Sequence, residues 1–463
     1  MSSLLTEVAA SAAAVLNGNG GEGAAGAKTL AAKAAQHPAR ARTTTTQPVL
    51  GPWLRAQTLN LSRHTAALRN FTREEFGKGP EAPTDGHVLA VNQMLAGLRV
   101  RLVKHARQMN RLVAAATAEP RAGRLSATVR HKHAAHVGVM HIEKIWNFYF
   151  ELFGQRQGAY GNWLLSTDRI ALDCYQAAYL GIGREKPVPA PPPFSYMRTG
   201  FGPATFRRGI KLRMLSREAN PFPLIQLPYH RLVNPWTLGA VLHEVSHNLQ
   251  SDLGLARAVP LAIGRRLLRG GIPAEIANIF VRWNRETFAD MSGLLLGGPC
   301  IVASLMDVVG RSPQVTYFFS AKGVHPTPYL RVLISIELLR RMGFHAEAGR
   351  YGRVWTALYP RPESGTFPAA LLRHAPRAIA LAVDAICYQP FQEIGGKSLA
   401  EVHRFAQKEQ RMVEEAARRL GQGTDPGIVP ERFLIGAARF ALDNRLAPAE
   451  AIKENFYKEL SRR

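Results

Sequence analysis

The segment His243-Glu244-Val245-Ser246-His247 constrains this chain more than any other. It lies in a run where Leu238, Val241, Leu242, Val245 and Leu249 recur at helical spacing, so it predicts a largely buried helix. Residues four apart share a helix face, which puts the two imidazoles one turn apart and pointing the same way. A fold built around such a helix must cover its apolar side and also give the two histidines a common partner. Two imidazoles at this spacing bind one zinc ion, and Glu244 can then serve as general base on a zinc-bound water. Upstream, Asn234 can cap the helix and Pro235 suits its first position. An amphipathic helix with two ordinary histidines is the alternative; the apolar period and the start signal favour zinc.

A catalytic zinc site takes a third protein ligand and leaves a position for water. The metzincin pattern requires a glycine and a histidine where this chain has Gln250 and Leu253, which excludes that class. The better candidate is Glu286, in the pattern Glu286-Thr287-Phe288-Ala289-Asp290 on a second predicted helix. Glu286 and Asp290 share a face, and Phe288, Ala289, Met291 and residues 294–296 make this helix largely buried. Buried carboxylates need partners. Glu286 is expected to complete the zinc triad, and Asp290 to accept the free ring N–H of a ligand histidine.

A third element, His325-Pro326-Thr327-Pro328-Tyr329-Leu330-Arg331, precedes another apolar helix. With the order H-E-x-x-H, E-x-x-x-D, then H-P-x-x-x-x-R, the chain resembles the gluzincin peptidases of the HtpX, Oma and CAAX prenyl peptidase type. The resemblance covers residues 170–345, roughly a third of the chain. It implies a zincin-like catalytic core with a small sheet, in which His243, His247 and Glu286 bind Zn2+ and Glu244 is base and then proton donor. It further implies that Asp290 orients a ligand histidine, that His325 stands near the zinc as a catalytic or steadying group, and that Arg331 anchors its loop. Unlike many members, this chain has no paired membrane helices, and its insertion between His247 and Glu286 is its own.

Peptide hydrolysis also needs a donor for the oxyanion of the tetrahedral intermediate. His325, Tyr329 and His230 are the candidates. His230 lies in a run, residues 222–233, that alternates like a strand, while its prolines predict an edge position able to pair with an extended peptide. Residues 194–199 and 205–215 also read as short strands.

The remaining sequence predicts a mainly α (α+β) protein, with a disordered segment at 1–50, a helical region at 51–185, the catalytic core at 186–345 and a helical region at 346–463. Residues 186–193, rich in proline, form a stiff linker. No signal peptide is apparent and no apolar run reaches the ~18–20 residues of a membrane span, so the expectation is a soluble, cytoplasmic chain. Cys174, Cys300 and Cys387 are too scattered for a disulfide framework or a zinc knuckle and read as buried thiols. The cluster His131, His133, His136 and His141 reads as a solvated helix end in preference to a second metal site. A net charge of +25 weakly suggests an acidic partner or nucleic acid, but the basic residues are scattered and no nucleic-acid module is apparent. Residues 257–269 form a basic amphipathic stretch that can act as a lid, as a surface-binding helix or as ordinary packing. Zinc metallopeptidase is therefore the leading expectation. A zinc hydrolase acting on nucleic-acid-associated protein, or a non-catalytic zinc-binding regulatory protein, is the alternative.

Overall fold

The computed structural model describes residues 47–183, 190–215, 218–362 and 367–463. The predicted disordered segment lies outside them except for residues 47–50, and so do residues 186–189 of the proline-rich linker. The described chain divides into two compact units, residues 47–62 with 106–132 and residues 63–105 with 133–463. The fold is mainly helical with one small sheet. It opens with three long helices, α1 (Gln47–Ala67), α2 (Asp85–Ala118) and α3 (Ala122–Gly154). None among the described residues is long and apolar enough to cross a membrane.

The larger unit carries everything that positions the site. Helix α4 (Gly161–Ile182) buries Leu164, Ile170, Ala171, Cys174, Tyr175 and Ala178 at helical spacing. Its Asp168 pairs with the buried Arg156 at 2.8 Å and accepts a hydrogen bond from the Ser195 N–H at 2.6 Å, which fastens the sheet to the helix. The sheet contains β1 (Phe194–Met197), β2 (Ala204–Phe206) and β3 (Leu224–Leu227) in the order β1-β3-β2. β3 runs parallel to β1, with Phe194 opposite Leu224, and antiparallel to β2, with Thr205 opposite Ile225. The expected edge strand is thus the central one. Pro223 and Pro228 flank the four-residue ladder without entering it, so neither removes a ladder bond. The strand expected over 205–215 is confined to its first two residues, which belong to β2; residues 213–215 form a 3₁₀ turn.

After β3 come α5 (Tyr229–Val233), a 3₁₀ turn at Pro235–Thr237, and α6 (Gly239–Asp252), which carries the H-E-x-x-H segment. Asn234 does not cap α6. Pro235 starts the separate turn, and the Asn234 side chain donates back to the His230 carbonyl at 3.0 Å. The basic stretch becomes α7 (Leu255–Arg269), which buries Leu255, Val259, Ala262, Ile263 and Leu267. α8 (Ala274–Arg282) and α9 (Asn284–Gly297) follow, then α10 (Cys300–Val309), the short α11 (Pro313–Thr316) and α12 (Pro328–Arg341). The chain ends in α13 (His345–Leu358), α14 (Ala369–Val383), α15 (Leu399–Val402), α16 (Gln407–Gly421), α17 (Phe433–Asp443) and α18 (Ala449–Arg462).

One contiguous apolar core runs from Leu164 to Leu460 and takes in residues from both sides of positions 186 and 345. Arg432 at the head of α17 forks onto Asp173 of α4 at 2.9 Å, and Tyr457 of α18 donates to the Leu232 carbonyl. The helices after 345 therefore support the scaffold from behind. The three cysteines are free and buried.

Candidate metal centre

Helices α6 and α9 lie antiparallel and very close together. Leu242 and His243 face Gly293, and Gly297 faces Leu242; a Cβ added at Gly297 would stand 2.6 Å from Leu242 Cδ2. A Cβ at Gly297 would push the ends of the Leu242 and Ile301 side chains aside, whereas one at Gly293 would stand 3.4 Å from the His243 backbone N. Gln250 Nε2 closes the other end on Asn284 Oδ1 at 3.2 Å. Between these contacts, His243 and His247 meet Glu286 and Asp290.

The three predicted zinc ligands come together. His243 Nε2 and His247 Nε2 stand 3.1 Å apart, and Glu286 Oε2 and Oε1 lie 3.5 and 3.4 Å from them respectively. Among the described residues this is the one group of three or more His, Cys, Asp or Glu side chains whose ligand atoms converge in a way that can hold a metal ion. His131, His133, His136 and His141 form no such group.

Asp290 lies where an orienting carboxylate is needed. It is buried, its Oδ1 meets His243 Nδ1 at 2.8 Å, and both its oxygens accept from Arg331 on α12, at 2.9 Å for Nη2 and by a shorter contact for Nε. With the His243 proton held at Nδ1, the Nε2 lone pair faces the triad. Arg331 also lies 3.4 Å from Glu286 Oε2. Its guanidinium thus grips the site's carboxylates directly, a closer role than anchoring its own loop. His247 Nδ1 is buried and meets no hydrogen-bond partner among the described residues.

These contacts split the titrations. Burial pushes the Asp290 carboxyl up, but Arg331 and His243 outweigh it and hold it below its ordinary value. Burial likewise opposes ionisation of Glu286, and the His243 hydrogen bond and charge overcome it. His243, pulled down by burial, is carried up to about 9 by Asp290, whereas His247 falls to about 3 through burial and the neighbouring His243 charge. Burial pushes Glu244 up to about 7.

A cavity of about 720 Å³ opens on the triad. Glu244, His325 and Arg331 line it with the three ligands. The His325 side chain is 68% exposed, with Nε2 3.5 Å from Glu286 Oε1. Two sequence candidates are not brought to the cavity. Tyr329 packs its ring against Tyr317 and Phe367, and His230 lies on α5; neither lines the space. No residue of α7 lines it either.

Several contributors were missed by sequence reasoning. Gly297 on α9 leaves room for the Leu242 and Ile301 side chains. Arg207, Arg285 and the apolar face of α10 line the cavity, and nothing local in sequence marks them. β2, packed beside α6 and tied to it by Asn248 Nδ2 donating to Thr205 Oγ1 at 3.0 Å, is the edge strand at the cleft. No family of known proteins, no curated protein and no solved structure matches this chain.

Proposed function

We propose that this protein is a zinc-dependent metallopeptidase with a zincin-like core of the gluzincin type. The observation that carries this reading is the convergence of His243, His247 and Glu286 beside a buried Glu244 on one cavity wall. The donor set suits zinc. Tetrahedral bonds of about 2.0–2.1 Å hold ligand atoms ~3.3 Å apart; the two imidazole nitrogens stand 3.1 Å apart, with one Glu286 oxygen 3.5 Å from His243 and the other 3.4 Å from His247. Bound there, zinc supplies an acidified water and polarises a carbonyl.

The chain's own residues do the rest. Glu244 takes a proton from the attacking water and returns it to the leaving amine, a task suited to a carboxyl pushed toward neutrality by burial. Asp290 and Arg331 hold His243 and Glu286 in place. Of the three proposed oxyanion donors, only His325 lines the cavity. The unpaired edge of β2, whose Ala204 and Thr205 line the cleft, gives an extended peptide a strand to pair with. Ile301, Val302 and Leu305 of α10 offer an apolar wall to one of its side chains.

A peptide library tests the reading. Cleavage is expected with zinc, lost with chelator and recovered on zinc addition. Glu244→Gln should keep one zinc per chain and lose roughly 10²–10⁴-fold in rate. Full activity in that variant, with zinc retained, refutes the mechanism.

A further inference from the structure

The cleft has two unlike ends. Because α6 and α9 are antiparallel, position along α6 reads out position along the cleft: Leu242 lies against Gly297, His243 against Asp290, His247 against Glu286 and Gln250 against Asn284. Toward the start of α6, beyond Asp290, the lining turns apolar, with Ala240, Leu294, Ile301 and Leu305. Toward its end, beyond His247, the lining is cationic. Arg285 directly precedes Glu286 and is exposed, and its charge reaches His247. Arg207 directly follows β2, is half-buried, and its charge reaches Asp252 in the last turn of α6.

Four arginines largely withdrawn from solvent are paired with aspartate, while the buried Arg231 has no ion pair within 4.0 Å among the described residues. Arg156, Arg331, Arg432 and Arg439 are each closed by an aspartate, respectively Asp168, Asp290, Asp173 and Asp307. Neither Arg207 nor Arg285 has an ion pair within 4.0 Å among the described residues. The cavity's own carboxylates are Glu244, Glu286 and Asp290. Asp290 is matched by Arg331, and a divalent ion in the triad matches Glu244 and Glu286. The guanidinium groups of Arg207 and Arg285 remain without a carboxylate of the cavity to pair with, and Arg207 reaches Asp252, outside the cavity lining, only beyond 4.0 Å. A guanidinium presents a planar fork that fits a carboxylate, and in a recessed cleft such a pair is stronger than on an open surface.

We propose that Arg207 and Arg285 bind a carboxylate of the substrate, so that the enzyme selects peptides carrying a negative charge on the His247 side of the scissile bond. This rests on the peptidase reading. The carboxylate belongs either to an Asp or Glu side chain or to the peptide C-terminus, and both present the same chemistry to the two arginines.

The test uses fluorogenic peptides of one constant core, scanned with Glu or Gln at each position, each made as free acid and as C-terminal amide. Charged hydrogen bonds of this kind correspond to about 10- to 100-fold. The wild-type protein should therefore prefer Glu over Gln, or acid over amide, by at least about 10-fold in kcat/KM, and the responding series identifies the source. In Arg207→Gln/Arg285→Gln that ratio should fall to near one. Because the ratio compares two substrates on one protein, any loss of folded material cancels. A wild-type ratio near one in both series, or a ratio that survives the double substitution, overturns the proposal. If no peptide is cleaved, the peptidase reading fails by itself. Fluorescence anisotropy of the same peptides on the zinc-loaded Glu244→Gln protein then decides the carboxylate site, with the same ratios expected in Kd and equal Kd values refuting it.

Discussion

Asp290→Asn separates what Asp290 does for the metal from what it does for the fold. The substitution keeps the shape and removes the charge. Asp290 now accepts from His243 Nδ1 at 2.8 Å, from Arg331 Nη2 at 2.9 Å and from Arg331 Nε, so all three neighbours donate to it. An asparagine must turn an NH₂ toward one of them. Arg331, with a side chain 13% exposed, then keeps only Glu286 at 3.4 Å. Removing one partner of a buried ion pair costs about 3–5 kcal/mol, and the nearby Glu286 favours the lower figure. Loss of the carboxylate behind a ligand histidine lowers metal affinity about 10- to 100-fold, or roughly 1.4–2.7 kcal/mol. Adding Arg331→Met removes the stranded cation, so the double variant should recover about 2 kcal/mol of stability. Its zinc affinity should stay low, because the amide oxygen that can now accept from His243 Nδ1 carries no charge to raise the basicity of the ring. Urea unfolding of the metal-free chain and zinc competition against a chromophoric chelator measure the two quantities. If Asp290→Asn loses stability but binds zinc within twofold of wild type, Asp290 does not orient His243. If the double variant recovers both, the metal effect was only a consequence of the stranded charge.

Three further outcomes follow from the same structure. His87, with Nε2 2.9 Å from the Pro192 carbonyl, and the fully enclosed His403 are lowered to about 4 and about 3, in both cases chiefly by burial. The unfolded chain therefore takes up these protons first as pH falls below about 6.5, and each histidine should destabilise the fold by on the order of 3 kcal/mol at pH 4. The fall in stability from pH 7 to pH 4 should be clearly smaller in a His87→Gln/His403→Gln background than in wild type, with His247 accounting for part of what remains; equal slopes refute it. Gly298 has φ +75°, and its Cβ would stand 2.3 Å from the Phe405 ring, itself packed between Phe344 and Phe433. Gly298→Ala should cost about 2–3 kcal/mol more than Gly343→Ala, where φ is +86° and the space is open; equal urea midpoints would remove the ring clash from the account. Val308→Trp, at the half-buried edge of the apolar wall, should lower cleavage of peptides with Phe or Leu relative to Ala by about 10-fold, and an unchanged preference would mean that wall does not hold a side chain.

The metal triad was legible because each of its parts is written in local spacing. His243 and His247 are one turn apart by helical period alone, and Glu286 was marked by sharing a face with Asp290 in a helix too apolar to leave carboxylates bare. The strand errors have an equally local cause. Prolines at 223 and 228 mark the ends of a ladder as readily as they mark an edge, and only the pairing of β3 with both neighbours distinguishes the two.

What lay beyond sequence was the composition of the cleft. Tyr329 is two residues from Arg331, yet the helix that turns Arg331 onto Asp290 turns Tyr329 into an aromatic cluster instead. Proximity in sequence to a site residue therefore says little about reaching the site, since neighbours on a helix point about 100° apart. The converse holds for Arg207, thirty-six positions before His243, and for the α10 wall, beyond the last site residue of α9. Each enters the cleft because a different element packs on α6: β2 through Thr205 and Asn248, and α10 through Ser304, whose side chain lies 2.7 Å from where a Cβ of Gly239 would stand. The candidate metal site is thus confined to three helices and readable from period, whereas the rest of the cleft is assembled from the elements around them. Under the peptidase reading, Gly239→Ala should accordingly shift side-chain preference in a peptide-library profile, because it displaces Ser304 and α10, while zinc affinity stays within twofold of wild type because His243, His247 and Glu286 lie on α6 and α9.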